Sequence, residues 1–259
     1  MILGYLSGQV ALVTGAGRGL GRSIALALGA EGARIALVAR SADELQTVSA
    51  ELSVLGTDST AFVGDLLEPE FRDHLVAQVE GAMGAVDILV NNAGVAPSAP
   101  IEKTTDEFYR RCMEINVTAP FVLCRNVIPG MKSRGRGRIV NIASTAALKG
   151  YAYTTAYVTS KHALLGLTRA LATEVLSKGI TVNAVCPGFA DTKIAADAAA
   201  NIASKTGRSL DDARSSLANE GSLKRLIKPE EVARAVLTLV GPDSDAFSGI
   251  AFPVAGDAL

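Results

Sequence analysis

Short apolar runs alternate with amphipathic stretches along most of the chain. The apolar runs are rich in Val and Ile, and most end in Gly, Asn, Asp or Ser, which is typical of buried β-strands. They cover residues 10–15, 34–40, 60–65, 86–94, 138–144, 180–188 and 250–256. The stretches between them predict helices over residues 19–31, 43–55, 69–83, 105–132, 157–178 and 229–240. This alternation predicts an α/β fold with a parallel seven-stranded sheet that is covered by helices on both faces.

One segment departs from this alternation. Residues 190–222 are rich in Ala and Ser and have weak periodicity, which predicts two short surface helices. They follow the sixth predicted strand, and ligands of a doubly wound sheet bind at the carboxyl ends of its strands. We therefore predict that residues 190–222 form a mobile substrate lid, with an ordinary peripheral helix pair as the alternative. The pattern contains no linker and no second core, so residues 1–259 are interpreted as one domain.

Composition narrows the choice of partners. The chain has 259 residues and a net charge of −1, so neither nucleic acid nor an anionic membrane is expected as the main partner. It has only two histidines, so we expect no metal site, and the three widely spaced cysteines are interpreted as reduced and buried. The N-terminal residues lack a basic region and lead directly into a strand, which predicts neither a signal peptide nor a membrane span. A cytoplasmic location is expected.

A glycine-rich loop connects the first predicted strand to the first predicted helix. Thr14, Gly15, Gly19 and Gly21 fit the pattern T-G-x-x-x-G-x-G, whereas the stricter G-x-G-x-x-G spacing fails at Leu20. Glycines let the backbone turn sharply and approach a pyrophosphate, and the N-terminus of the following helix offers free N–H groups. The loop therefore predicts a dinucleotide site.

The residues after the second predicted strand indicate which dinucleotide binds. A carboxylate there would accept hydrogen bonds from the ribose hydroxyls of NAD(H), but this strand ends in Ala39 and Arg40. Arg18 lies within the glycine loop, and two guanidinium groups suit a 2′-phosphate. We predict that NADP(H) is preferred, with NAD(H) as the alternative. Asp65 ends the third predicted strand, where it would either accept from the adenine amino group or cap the next helix.

The segment YVTSK places Tyr157 and Lys161 four residues apart, on the same face of a predicted helix. A cation beside a phenol stabilises the phenolate and lowers the pKa of the phenol. An oxidised nicotinamide would add positive charge, and a shift of about three units would bring the pKa of Tyr157 near neutrality. The alternative is an exposed helix face that carries both residues without chemical consequence.

TGAGRGLG, NNAG and YVTSK occur in this order, and together they make the chain similar to the short-chain dehydrogenase/reductase family over essentially its whole length. The resemblance implies a single-domain Rossmann-type, doubly wound fold. The stretch GRIVNIAS…YVTSKHALLGLTRAL…GITVNAVCPGF looks most similar to 3-oxoacyl-thioester reductases, which act on substrates bound to coenzyme A or a carrier protein, and to polyketide ketoreductases.

The resemblance also implies roles for individual residues. Asn116 would hold a water molecule in a proton relay, Ser144 would bond the substrate carbonyl, and Tyr157 with Lys161 would form the catalytic pair. Tyr157 would act as general acid in ketone reduction and as general base in alcohol oxidation. The glycine loop and the resemblance together predict cofactor contacts from Gly15, Arg18, Gly19, Leu20, Arg40, Asp65, Leu66, Asn92, Ala93, Gly94, Tyr157, Lys161, Pro187, Gly188 and Thr192.

Substrate contacts are predicted from Ser144, Tyr157, Thr145, Tyr151 and Phe189, a set that suits a hydrophobic ketone or an acyl thioester better than a sugar. Arg134, Arg136 and Lys178 form a candidate docking site for an acidic carrier protein. The helices over 105–132 and 157–178 are apolar on more than one face, which predicts subunit contacts in a homotetramer.

Three functions fit these residues. The first is NADPH-dependent reduction of a ketone to a secondary alcohol, and the second is oxidation of a hydroxyacyl, cyclic or aryl alcohol by the same groups. The third is a non-catalytic NADP-binding regulatory or scaffold protein, which would not need Asn116, Ser144, Tyr157 and Lys161 together.

Overall fold

A computed structural model describes residues 4–221 and 223–256. Its strands are β1 (Val10–Thr14), β2 (Arg34–Ala39), β3 (Ser59–Val63), β4 (Val86–Asn91), β5 (Gly137–Ile142), β6 (Ile180–Pro187) and β7 (Ala251–Val254). Its α-helices are α1 (Gly19–Ala30), α2 (Ala42–Val54), α3 (Pro69–Met83), α4 (Asp106–Met113), α5 (Ala119–Arg134), α6 (Thr155–Val175), α7 (Lys193–Thr206), α8 (Leu210–Asn219) and α9 (Pro229–Val240). All seven predicted strands are therefore confirmed.

The strands form one parallel sheet in the order β3-β2-β1-β4-β5-β6-β7. From β1, the next two strands are added in turn towards one edge of the sheet, which β3 forms. The fourth strand, β4, then pairs with the other side of β1. This reversal of strand order opens a crevice at the carboxyl ends of β1 and β4, where doubly wound folds bind ligands. The predicted Rossmann-type fold is confirmed.

Helices cover both faces of the sheet, as the apolar strands require. On one face, Val13 and Ile35 pack against residues of α1, α2 and α9, including Val232. On the other face, Leu12 and Leu89 pack against residues of α3, α5 and α6. Neighbouring positions of β1 thus enter opposite cores, which is the two-residue periodicity of a strand that is buried on both sides.

The helix predicted over residues 105–132 has a different internal structure. α4 and α5 are separated by one turn of π-helix, Glu114–Thr118, and α5 ends where Gly135 adopts a φ of 66°. Within the turn, the Asn116 side chain donates to the Val95 carbonyl and accepts from the Val95 N–H, both at 2.9 Å. Single turns of π-helix inside longer helices occur frequently at functional sites.

The predicted pair of short helices after β6 is also present, as α7 and α8. They pack mainly on each other around Ala199, Ala213 and Leu217, with Phe189 at the edge of this small cluster. The mobility of this segment stays a prediction.

Among residues 4–221 and 223–256, no helix combines the length and apolar character needed to cross a bilayer. The same described residues include no group of three or more His, Cys, Asp or Glu side chains arranged to hold a metal ion.

Candidate active site

The glycine loop forms a cradle at the carboxyl end of β1. Gly15 and Gly19 have φ values of 63° and 54°, which side chains disfavour. A Cβ atom on Gly15 would lie 2.9 Å from Asn92 Nδ2, and one on Gly21 would lie 2.1 Å from the Gly15 carbonyl oxygen. Arg18 begins α1 without a side-chain cap, so the first N–H groups of the helix stay available. The loop thus fits a bound pyrophosphate.

Thr14 joins the glycine loop to the turn after β4. Its hydroxyl accepts hydrogen bonds from the N–H groups of Asn92 and Ala93, both at 3.0 Å. The Asn92 amide donates in return to the carbonyls of Thr14 at 2.8 Å and Gly15 at 3.2 Å. These bonds divert the chain from the sheet, which is why β4 ends at Asn91 and not at the predicted residue 94.

Two cations flank the region beside the glycine loop, and each has a carboxylate partner. Arg18 Nη1 lies 2.8 Å from Glu44 Oε1, and Arg40 Nη1 lies 3.6 Å from Asp65 Oδ2. The other Asp65 oxygen accepts from the N–H of Leu67, so Asp65 closes a turn before α3, whose N-cap is Glu68. The sequence did not indicate either pairing.

Two other predicted cofactor residues pack against the hydrophobic cores. Leu20 is partly buried against the first core, and Leu66 lies in the second core with 5% exposure. Any cofactor contact from Leu66 therefore has to come mainly from its backbone atoms.

Tyr157 and Lys161 lie on the same side of α6, as predicted. Lys161 Nζ is 5.8 Å from the centre of the Tyr157 ring, and it donates a 2.8 Å hydrogen bond to the Ile142 carbonyl at the end of β5. Lys161 is almost fully buried. A Cβ atom on Gly94 would lie 3.7 Å from Lys161 Nζ. The pair therefore adjoins the turn after β4, and Asn92 of this turn bonds the glycine loop.

The sequence predicted that Lys161 lowers the pKa of the Tyr157 phenol. That prediction is wrong for the protein side chains without a cofactor. Burial raises the pKa of Tyr157 to about 12, although its hydrogen bond with Ser144 acts in the opposite direction. Burial also lowers the pKa of Lys161 to about 8. Burial disfavours the charged form of each group, and it is the largest cause of both pKa shifts. Tyr157 is therefore a protonated group at neutral pH in this state.

Replacing Lys161 with Met should change how stability depends on pH. The folded-state pKa of Lys161 lies below its usual value of 10.5, so folding opposes its charge, and this penalty is complete below pH 8 and fades as the pH rises towards 10.5. Between pH 7 and pH 9.5, the free energy of unfolding of the wild type should rise by about 2 kcal/mol relative to that of Lys161→Met. Denaturant titrations of both cofactor-free proteins at these two pH values measure this difference, and parallel pH profiles would contradict it.

A buried network supports the Tyr157 turn of α6. The Asn116 amide donates to Ser160 Oγ at 2.9 Å, and Ser160 Oγ donates to the Tyr157 carbonyl at 2.7 Å. Because the Asn116 side chain also bonds both backbone groups of Val95, it connects the turn after β4 to α6. Asn116 is one of the site residues predicted from the sequence, whereas Ser160 was not predicted, although it lies within the YVTSK segment.

A small cleft lies at the carboxyl ends of β5 and β6 and is bounded partly by side chains from the segments that follow these strands. Tyr151 forms a 2.8 Å hydrogen bond with Thr145, and its ring meets Phe189 edge-on at 6.0 Å. Ser144 precedes these residues, and its hydroxyl accepts from the Ala146 N–H at 3.1 Å. The cleft lining consists of Thr145, Tyr151, Gly188, Phe189, Leu217, Ala218, Glu220, Gly221, Arg225, Ile227 and Ala255. The predicted trio of Thr145, Tyr151 and Phe189 is thus brought together with α8 of the predicted lid segment, whereas the contribution from Ala255 was not foreseen.

The segment after β6 approaches the glycine loop. The Gly188 N–H donates to the Val254 carbonyl at 3.0 Å, which holds the Pro187–Gly188 turn against β7. Thr192 then begins α7, and its Cγ2 would lie 3.3 Å from a Cβ atom on Gly19. Thr192 therefore lies next to the cradle.

The arginines considered for carrier binding lie at the opposite edge of the sheet. Arg134 donates to the Val86 carbonyl at 2.7 Å, and Arg136 lies 3.1 Å from Asp87. Both contacts hold the amino ends of β4 and β5, whereas Tyr157 and the cleft are at the carboxyl ends. These contacts give the two arginines a structural role, and docking of an acidic carrier protein by Arg134, Arg136 and Lys178 stays a prediction.

Comparison with known proteins agrees with this geometry. Residues 9–203 match the family model for short chain dehydrogenases, and the chain belongs to the short-chain dehydrogenase/reductase family of oxidoreductases. It is 38% identical over 250 residues to a putative ketoacyl reductase of Streptomyces coelicolor, with 96% of each chain covered. It is 32% identical over 249 residues to the 3-oxoacyl-[acyl-carrier-protein] reductase FabG of Escherichia coli, again with 96% of each covered.

Solved structures give the same picture. A variant of actinorhodin polyketide ketoreductase with NADPH superposes with a TM-score of 0.92 at 38% identity, covering 96% of both chains. L-Sorbose reductase from Gluconobacter frateurii, complexed with NADPH and L-sorbose, superposes with a TM-score of 0.91 at 34% identity, covering 99% of this chain and 98% of the other.

Proposed function

We propose that this protein is an NADPH-dependent ketoreductase that converts a hydrophobic ketone or a 3-oxoacyl thioester into the secondary alcohol. The observation that carries this proposal is the meeting of Ser144, Tyr157 and Lys161 directly beside the turn that holds the glycine cradle. The NADPH complexes of the two structural relatives support the choice of cofactor.

The glycine cradle and the uncapped start of α1 would hold the pyrophosphate, with Arg18 and Arg40 near a 2′-phosphate. Lys161 would bond the nicotinamide ribose, and Thr192 would contact the carboxamide. When bound, the reduced nicotinamide supplies the hydride. We treat the remaining predicted cofactor residues as members of this proposed site.

Tyr157 and Ser144 would perform the proton chemistry. Ser144 would donate to the substrate carbonyl, and this bond would strengthen as negative charge grows on the oxygen. Tyr157 would then transfer its proton to that oxygen as general acid. The raised pKa of Tyr157 keeps this proton on the phenol at neutral pH, as a general acid requires. Asn116 would hold the network through which Tyr157 recovers its proton.

The cleft supports an apolar substrate. Phe189, Leu217 and Ile227 provide aliphatic and aromatic surface, while Thr145 and Tyr151 satisfy each other's hydroxyl groups. The similarity to ketoacyl reductases points in the same direction. We further propose that residues 190–222 act as a substrate lid, of which residue 222 lies outside the described part.

A panel assay tests this function. The purified enzyme should oxidise NADPH in the presence of acetoacetyl thioesters, aryl ketones, cyclic ketones or diketones, and it should prefer NADPH to NADH. L-Sorbose serves as the polar comparison. Turnover confined to L-sorbose would contradict the proposed substrate class, and turnover with none of these carbonyls, despite NADPH binding, would favour a non-catalytic role.

We also propose a cytoplasmic homotetramer. Tyr109 on α4 and Phe121 on α5 are 41% and 46% exposed, and Leu176 just after α6 is 49% exposed. Large apolar side chains exposed along these helices are suited to a subunit interface. Size-exclusion chromatography with light scattering should give about four times the mass of one chain, and a monomer at micromolar concentration would contradict the proposal.

A further inference from the structure

Glu44 is a carboxylate that reaches into the proposed cofactor site from a neighbouring helix. It lies in the first turn of α2, where its N–H donates to the Ser41 cap at 3.3 Å. Its Oε1 accepts a 2.8 Å hydrogen bond from Arg18, and its Oε2 would lie 2.9 Å from a Cβ atom on Gly17. The side chain therefore lies against the glycine loop, beside one of the two cations expected to bind a 2′-phosphate.

A second ion pair, which does not involve Glu44, joins the same two helices. Arg22 on α1 lies 2.6 Å from Glu51 on α2, about one turn after Arg18 along α1 and about two turns after Glu44 along α2. This pair joins the helices away from the glycine cradle. Glu44 instead binds the side chain that precedes α1, so its position bears on the cofactor more than on helix packing.

The Glu44 carboxylate and a bound 2′-phosphate would compete for the Arg18 guanidinium. A phosphate and a carboxylate both accept hydrogen bonds from the planar N–H groups of a guanidinium. Two anions that contact the same N–H groups repel each other. When a 2′-phosphate binds Arg18, the Glu44 contact must open or be shared. A ribose with a free 2′-hydroxyl makes no such demand, because a hydroxyl can donate to a carboxylate.

We propose that Glu44 is a specificity-determining residue that competes with the 2′-phosphate for Arg18 and so moderates the preference for NADP(H) over NAD(H). This proposal rests on the proposed function, since it requires the adenosine part of the cofactor to lie beside Arg18 and Arg40. The carboxylate lets the same site accept both cofactors. The site still binds NADP(H) more tightly than NAD(H), but the difference in affinity is smaller than it would be if Arg18 and Arg40 had no competing carboxylate.

Binding of half-cofactors tests this without any turnover. Calorimetry would measure the dissociation constants of 2′,5′-ADP and 5′-AMP for the wild type, Glu44→Gln and Glu51→Gln. An exposed ion pair of this kind opposes its competitor weakly, so Glu44→Gln should bind 2′,5′-ADP about fivefold more tightly. Its affinity for 5′-AMP should stay within about twofold of the wild type. The matched variant Glu51→Gln should change neither affinity.

A double variant separates competition for Arg18 from a general change in the loop. In an Arg18→Ala background, Glu44→Gln should no longer tighten 2′,5′-ADP binding, because the shared partner is gone. Equal gains for both nucleotides, no gain for either, or a gain that persists without Arg18 would each overturn the proposal. A wild-type protein that binds neither nucleotide would contradict the proposed function itself, whereas normal wild-type binding with an unresponsive Glu44→Gln variant contradicts only this inference.

Discussion

Replacing Tyr157 with Phe should reduce turnover of the best ketone about 10³-fold and leave NADPH affinity within about twofold, because a positioned general acid contributes about 10²- to 10⁴-fold. The ring and the backbone of the variant are unchanged, so the hydrogen bond from Ser160 to the residue-157 carbonyl is kept. Only the hydroxyl that would give its proton to the substrate is lost. Single-turnover kinetics and fluorescence titration with NADPH measure the two quantities separately.

Tyr151→Phe is the matched control for that experiment. It removes a hydroxyl from a tyrosine of the cleft lining, but this hydroxyl bonds Thr145 and has no assigned proton to transfer. Its turnover should fall by no more than about tenfold, the effect of one lost neutral hydrogen bond. Full turnover by Tyr157→Phe, or an equal loss in both variants, would show that the Tyr157 proton is not used.

Replacing Gly21 with Ala should weaken NADPH binding about 10- to 100-fold and lower the unfolding midpoint, since overpacking a tight site costs about 1–3 kcal/mol. The new Cβ atom would lie 2.1 Å from the Gly15 carbonyl oxygen and 2.6 Å from Asn92 Nδ2. The first contact is with backbone, so no side-chain rotation relieves it. The loop must move away from α1, and the cradle widens.

Gly81→Ala provides the control for a glycine replaced within a helix. Gly81 lies in α3, and an added Cβ atom would meet nothing within 4 Å. This variant should be up to about 1 kcal/mol more stable than the wild type, because alanine is the better helix former. Calorimetric titration and thermal unfolding compare the two variants, and undiminished NADPH affinity in Gly21→Ala would contradict the cradle.

The sequence predicted the features that depend on local patterns. Alternating apolar runs identified every strand of the sheet, and the spacing of Gly15 and Gly19 identified a loop that bends through positive φ values. The four-residue separation of Tyr157 and Lys161 correctly placed both side chains on one side of α6. Each of these conclusions needs only the geometry of a single element.

The features that it missed depend on contacts between distant segments. The bond from Arg18 to Glu44 joins residues from two helices, and nothing in either segment specifies it. Burial raises the pKa of Tyr157, whereas the sequence argument considered the neighbouring charge and not desolvation. The contacts of Arg134 with Val86 and of Arg136 with Asp87 were missed for the same reason, because they join the start of β5 to the start of β4.

The two helices after β6 have a consequence for engineering. α7 and α8 share their own apolar cluster, and specific ties from them to the rest of the chain include Asn201 to Ser98 at 3.0 Å and Arg214 to Asp191 at 2.8 Å. A segment built this way can be treated as an exchangeable cassette. Chimaeras that import Lys193–Asn219 from a relative, with these anchoring residues retained, offer a route to new selectivity while the hydride-transfer machinery stays untouched.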